Sequence, residues 1–474
     1  MPQPRGCQKR GRILLWLSHR PVMVAAALLS ATAPGSAQTL TEAFAYAYNN
    51  NPQLLAQRAL LRSTDEQVPQ ALSNWRPTVN FTGQAGYTRA GSAAPLANGG
   101  RTVFSSFSTR SLDLRVTQPL YRGGRTEAQT RQAINTVQAT RAQTLGVETT
   151  VFQAVAQAYL DVVRDQTLLE VATNNEAVLR RQLEATRDRF RVGEVTRTDV
   201  AQAESSLAQA TAQRIQASGT LENSRANYAR AVGHLPGRLV QPRERPALPA
   251  TLEEALSLAA HDNPNVISAS FTELAARDNV DVVRGQLLPQ INIIGDLNRS
   301  YAPSISLQGS RQDTASAQLQ LTMPLYEGGA IYSQTRQAEQ TVGQRRSQVD
   351  DARRQAVQLA TQAWETLQAA RAAIISFTSA VRAAQIALEG TQQEALVGSR
   401  TVLDVLIANQ QLFTTQSQLV TAQHDAAVAE FNVAAATGRL IAPELKLPVQ
   451  LYDMDKHYKA VKDKLFGFGG GLSE

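Results

Sequence analysis

Hydrophobic and polar positions follow two different periods along this chain, and the change from one to the other happens twice. In Pro289–Tyr301 the odd positions Ile291, Ile293, Gly295 and Leu297 alternate with Gln290, Asn292, Asp296 and Asn298, with Ile294 the exception. In Ala315–Met323, Ala317, Leu319, Leu321 and Met323 alternate with Ser316, Gln318, Gln320 and Thr322. Two earlier segments behave alike. Val79, Phe81, Ala85 and Tyr87 stand against Thr78, Asn80, Thr82 and Gln84; Leu112, Leu114 and Val116 stand against Ser111, Asp113, Arg115 and Thr117. A period of two predicts strands with one apolar and one polar face. Each is about ten residues, the length that crosses a bilayer when tilted. Polar loops with Gly and Ser, Arg89–Ser106 and Pro303–Asp313, would join them as hairpins 77–118 and 289–323.

Each return strand runs into the same kind of junction, TQPLYRGG ending at Gly124 and LTMPLYEGG ending at Gly329. Pro119 and Pro324 each remove a ladder donor and are expected to end the strand. Gly123, Gly124, Gly328 and Gly329 then break the pattern, and a helical period begins. It lasts 67 residues in both places, Arg125–Arg191 and Ala330–Leu396, or about 100 Å of helix. Val151, Val155, Tyr159, Val162 and Val163 give the first of these a narrow apolar stripe. Gly193 and Gly398 stop the helices as C′ residues do. Thr196 with Asp199, and Thr401 with Asp404, predict capping boxes that restart a helix at once, giving return helices 197–232 and 402–437. Upstream of each hairpin lies a further helical stretch, Leu40–Asn74 and Leu252–Gln286, which Asn51-Pro52 or Asn263-Pro264 should kink or split. The two shorter helices of a copy together match its long one. Stacked end to end beside it, they would put the strands at one end and the glycine turns at the other.

The chain is therefore an internal duplication. Thr39, Asn51 and Pro77 recur as Thr251, Asn263 and Pro289 after 212 residues; Val192, Asp199 and Gly233 recur as Val397, Asp404 and Gly438 after 205. The first copy spans 38–250, including the Pro- and Arg-containing linker Gly233–Ala250, and the second spans 251–440. In the remaining segment, 441–474, roughly the last 20 residues are expected to be partly disordered.

Charge changes the picture only through residues 1–37. This stretch reads as a secretory signal peptide: basic at Arg5, Lys9, Arg10, Arg12 and Arg20, apolar over Val22–Leu29, small at Gly35-Ser36-Ala37. The whole chain has 47 Lys and Arg against 40 Asp and Glu. Without five of those cations the balance is 42 against 40, which supports no nucleic-acid partner. Cys7 is the only cysteine and lies in the signal. The rest of the chain can form no disulfide and no thiolate metal site, and no cysteine follows the cleavage position to carry a lipid. No later apolar run is long enough for a transmembrane helix. An exported chain of this kind is either soluble or inserted as β-structure. Inserted strands cannot leave edges open in lipid. Four strands cannot close alone, since single-chain barrels begin at eight, so closure needs other copies; three copies would give twelve strands and a water-filled lumen.

The signal, the duplication, the PLYRGG and PLYEGG junctions, and the stretches RFRVGEVTRTDV and VGSRTVLDVL together resemble the TolC family over about Thr39–Leu440. The missing lipid-bearing cysteine resembles its non-lipidated branch. The resemblance implies a fold of mixed class: a membrane β-barrel plus an α-helical barrel, a homotrimer with twelve strands set on a tunnel that crosses the periplasm. It implies a passive outer-membrane channel serving tripartite multidrug efflux or type I protein secretion. A periplasmic adaptor and an inner-membrane transporter of the ABC, RND or MFS type would dock to it. The alternative is a soluble periplasmic coiled-coil adaptor or scaffold, which also carries long helical hairpins but needs no lipid-facing strands.

No catalytic or cofactor-binding constellation is present: His234, His261, His424 and His457 are scattered, and no enzyme activity is expected. Gly123-Gly124 before a helix could suggest a phosphate loop, but both copies share it and neither has the G-K-[ST] ending. A strand-to-helix break explains both. The informative residues are Thr198, Asp199, Arg400 and Asp404 at the glycine-turn end. The resemblance implies that Arg400 pairs with Asp199 and Thr198 to hold the tip shut, and that Asp404 forms a ring of three carboxylates favouring cations. Helix capping explains both aspartates without a pore. The sequence departs from the family at Ile407, where a second acid is expected, and at Ala395, where a tyrosine would help bind Asp199. The exposed turns at Val192-Gly193 and Val397-Gly398-Ser399 are expected adaptor-docking points, or plain turns between helices.

Overall fold

The strand-to-helix switch and its repetition are both visible in a computed structural model, which describes residues 38–93, 102–242, 245–302 and 309–467. The signal segment lies outside them, as do the tips of both hairpins. The first repeat contains helices α1 (Leu40–Asn50), α2 (Pro52–Asp65) and α3 (Gln67–Leu72), strands β1 (Thr78–Ala93) and β2 (Thr102–Arg122), and helices α4 (Arg125–Arg191) and α5 (Arg197–Val232). The second has α6 (Leu252–His261), α7 (Pro264–Arg284), β3 (Gln290–Tyr301), β4 (Arg311–Thr322), α8 (Ala330–Leu396) and α9 (Val402–Ala436); α10 (Met454–Val461) follows.

The four strands form one antiparallel sheet in chain order, β1-β2-β3-β4. Strands of the first hairpin are longer than the apolar alternation indicates, at 16 and 21 residues. Nor does Pro119 end β2: the strand continues to Arg122, with a register shift that skips Leu120. The reason is positional. Pairing of β1 with β2 stops at Thr78 opposite Thr117, so beyond that point β2 is an edge strand on one side, where proline is tolerated. Pro324 differs, because β4 ends at Thr322 before it.

At both junctions the paired glycines are left-handed, with φ of 64° and 72° at Gly123 and Gly124 and 62° and 80° at Gly328 and Gly329. Of the four, only Gly123 is tightly packed. A Cβ on Gly123 would lie 2.3 Å from the Gly285 carbonyl oxygen, while one on Gly328 would meet nothing within 4 Å.

Asn51-Pro52 and Asn263-Pro264 are joints between stacked helices. Asn51 caps α2 by accepting the Gln53 N–H, and its amide donates to the Ala231 carbonyl near the end of α5. Asn263 does the same for α7, with the Asn265 N–H and the Ala436 carbonyl of α9. Each side chain thus ties the start of one short helix to the end of another. The helices α2 and α5 flank α4, whereas α7 and α9 each contact both α4 and α8.

The core lies at mid-length of α4, where Phe44, Phe152, Tyr159, Tyr228, Phe431 and Leu440 are buried together. Phe44 and Phe152 meet at 5.1 Å between ring centroids, and the Tyr159 hydroxyl donates to the Val240 carbonyl at 2.7 Å. The segment after Leu440 joins this core through Ala442 and Leu447. Ala442 N–H donates to the buried Glu148 (2.6 Å), Tyr452 N–H donates to the Tyr48 hydroxyl (2.9 Å), and His457 of α10 pairs with the buried Asp65 (3.0 Å). Buried polar partners on α2 and α4 hold a stretch whose composition is polar. Residues 468–474 lie outside the described part.

Candidate functional site

The two glycine turns close in the same way. After α4, Gly193 has φ 85°, and the Glu194 N–H reaches back to the Arg189 carbonyl at 2.9 Å. After α8, Gly398 has φ 82°, and the Ser399 N–H reaches the Glu394 carbonyl at 2.9 Å. Neither glycine has a neighbour where a Cβ would go, so the positive φ alone selects glycine. Val192 and Val397 are 71% and 80% exposed. Apolar side chains stand in water at both turns.

Both capping boxes are closed. Asp199 accepts the Thr196 N–H at 2.8 Å and its own N–H donates to the Thr196 hydroxyl; Asp404 accepts the Thr401 N–H at 2.9 Å in the same arrangement. The Thr401 backbone N–H, then its hydroxyl, and to a lesser degree Arg400, hold the Asp404 carboxyl below the usual carboxylate range. Asp404 is thus an anion at neutral pH. Its facing follows from the residues around it. Val402 and Leu406 are buried against Leu179, Leu183 and Ala203 of α4 and α5. That packing turns Asp404 and Ile407 to other sides of α9, and Ile407 is 58% exposed. Above the tip, the Asn409 amide donates to Asn175 of α4 at 2.7 Å inside the packing.

Within one chain, Arg400 turns back to Glu394, with Nε 2.9 Å from Oε2. Asp199 is engaged with Thr196, and Thr198 and Arg400 are exposed beside their turns. Ala395 is half-buried. Sequence reasoning overlooked Glu394. The signal for it was an acid in the last turn of a helix, where the helix dipole disfavours negative charge.

A sheet of lipid-length strands continued by helices of 67 residues, with no described helix long and apolar enough to cross a membrane, defines a channel built as a β-barrel joined to an α-helical barrel. Residues 45–234 and 255–439 match the family described as outer membrane efflux protein, one match to each repeat, and the chain belongs to that family. It is 35% identical over 462 residues to the outer membrane efflux protein BepC of Brucella suis, covering 96% of this chain and 98% of BepC. It is 28% identical to the outer membrane protein TolC of Vibrio cholerae, covering 89% and 95%. The solved outer membrane protein VceC of Vibrio cholerae shares the fold, with a TM-score of 0.72 at 20% identity over 84% of this chain and 96% of that one. The protein is therefore placed in the outer membrane, its helical tunnel extending into the periplasm, and the soluble-adaptor alternative is set aside.

Proposed function

We propose that three copies of this chain form a passive exit duct for efflux or type I secretion, opened at its periplasmic tip when an adaptor and an inner-membrane transporter dock. One observation carries the reading: the chain is unfinished along the same two flanks in both of its halves. Among the described residues, β1 and β4 each pair on one side only. In the helical part, α8 packs on α6, α7 and α9 of its own chain and still leaves Ile375 and Ile386 exposed. Open strand edges are not tolerated in lipid, and copies of the same unit offer the complementary flank. The sequence has no nucleotide-binding motif, so energy for transport comes from the partner.

At the tip, Arg400 of one chain would bind Asp199 and Thr198 of a neighbour and hold the turns together. Asp404 would form the three-carboxylate ring, unaccompanied by a second ring because Ile407 replaces it. The turns Val192-Gly193 and Val397-Gly398-Ser399 would receive the adaptor, and a partner would loosen the tip in the manner of an iris. The purified trimer in planar bilayers tests the latch: replacing Arg400 and Asp199 together is expected to raise resting conductance. Unchanged conductance would overturn the latch and leave the duct reading to be judged separately, from heat-modifiable trimers in outer-membrane fractions.

A further inference from the structure

The two repeats differ at their tips by a coordinated exchange of charge. The position of Glu394 in the second repeat is held by Arg189 in the first, and the position of Arg400 is held by Val195. Arg189 and Arg191 lie in the last turn of α4, where cations suit the helix dipole, whereas α8 has no basic residue in its last turn. Glu394 there is locally unfavourable. It is placed where Arg400 folds back onto it, and the loop between them is drawn tight by the Ser399 N–H and hydroxyl, both donating to the Glu394 carbonyl at 2.9 and 3.0 Å. The acid and the arginine therefore occur together in the second repeat, and neither matched position of the first repeat carries them.

We infer that Glu394 is a positioning residue that competes with Asp199 for Arg400. This rests on the latch reading above. In the closed tip, Arg400 reaches across to Asp199 of a neighbour; in the released tip, it is received by Glu394 of its own chain. Both members of the in-chain pair are about half exposed, with side-chain exposures of 54% and 52%. Exposed ion pairs are weak, so the two arrangements lie close in free energy and a docking partner can shift the balance. Without Glu394, the released guanidinium would keep only the weaker pull of Asp404, and the closed tip would be favoured.

The test uses the full-length trimer in planar bilayers, comparing wild type with Glu394→Gln, Asp199→Asn and Arg400→Ala. Arg400→Ala and Asp199→Asn are expected to raise resting conductance. Glu394→Gln is expected to lower it about two- to fivefold, the scale of an exposed ion pair, with the difference shrinking at high salt; Glu394→Asp should restore part of the loss. If Glu394→Gln leaves conductance unchanged or raises it while the other two variants raise it, Glu394 does not compete for Arg400. If Arg400→Ala itself leaves conductance unchanged, the latch has failed and the competition with it.

Discussion

The helices α4 and α8 have the same length and the same flanking glycines, yet they are buried very differently. In α4, 25 of 67 residues are buried; in α8 only 8 are. The matched positions show why. Phe152 and Tyr159 of α4, buried in the aromatic core, correspond to Val357 and Trp364 of α8, both half-buried. Glu170 and Arg181 of α4 correspond to Ile375 and Ile386 of α8, which are 72% and 65% exposed. So α4 is finished by its own chain, packed on both sides and through its middle. Its twin carries isoleucine where α4 carries charge, on a surface the chain does not cover. A shared period produces the same helix twice; the side chains on it decide whether it serves as internal strut or external seam.

The largest effect expected from that contrast is Phe152→Ala. Removing a buried ring from the core should destabilise the protein by about 3–5 kcal/mol, read as a lowered Tm and loss of the chain from the outer membrane. A Val357→Ala change at the matched place in α8 should cost far less, and equal losses would mean that α8 has a core of its own. Ile386→Asp comes next. On the side of α8 turned away from α9, it should leave the single chain folded and helical. It should abolish trimers resistant to detergent, losing about 1.5–3 kcal/mol of burial at each seam; an unaffected trimer would place that face in water.

The smallest expected effect is a slope with pH. Burial pushes the Glu148 carboxyl up, against the Ala442 N–H and Arg58, which favour its charged form. A raised value in the folded state means that stability is fully present below the unfolded value, near 4.5, and is lost as pH rises through the folded one. Thermal unfolding should therefore become somewhat easier between those two values, and Glu148→Gln should flatten that part of the profile.

What was legible in the sequence was local. The bounds of α4 and α8 are set by glycines in left-handed conformations and by threonine caps, and each such device acts within a few residues. The strands were legible where they meet lipid, because only there does alternation have to be apolar. Over Arg89–Ala93 and Thr102–Ser106 the ladder extends through Gly, Ser and Arg, and composition alone reads as loop. Pro119 misled because tolerance of a proline depends on whether a neighbouring strand is present, which is a tertiary fact. The Asn-Pro pairs showed where helices would break, but the bonds of Asn51 and Asn263 to the ends of α5 and α9 span more than 170 residues. The C-terminal segment gave no warning of its packing, since its partners Asp65 and Glu148 lie on distant helices. At the tip, the caps of Asp199 and Asp404 could be read from spacing. The contact of Arg400 with Glu394 could not, because a turn had first to fold the chain back on itself.

The close approach of Gly123 to Gly285 has a kinetic consequence. In the first repeat, the joint below the sheet is completed by the Gly285–Leu287 turn of the same chain, and it forms at a rate independent of protein concentration. The counterpart of Gly285 in the first repeat is Ser73, while the counterpart of Gly123 is Gly328, beside which the chain leaves open space. In a closed ring of three copies, half of the six joints would thus be made during folding of each chain. The other half would wait on encounter, slow and concentration-dependent as subunit assembly is.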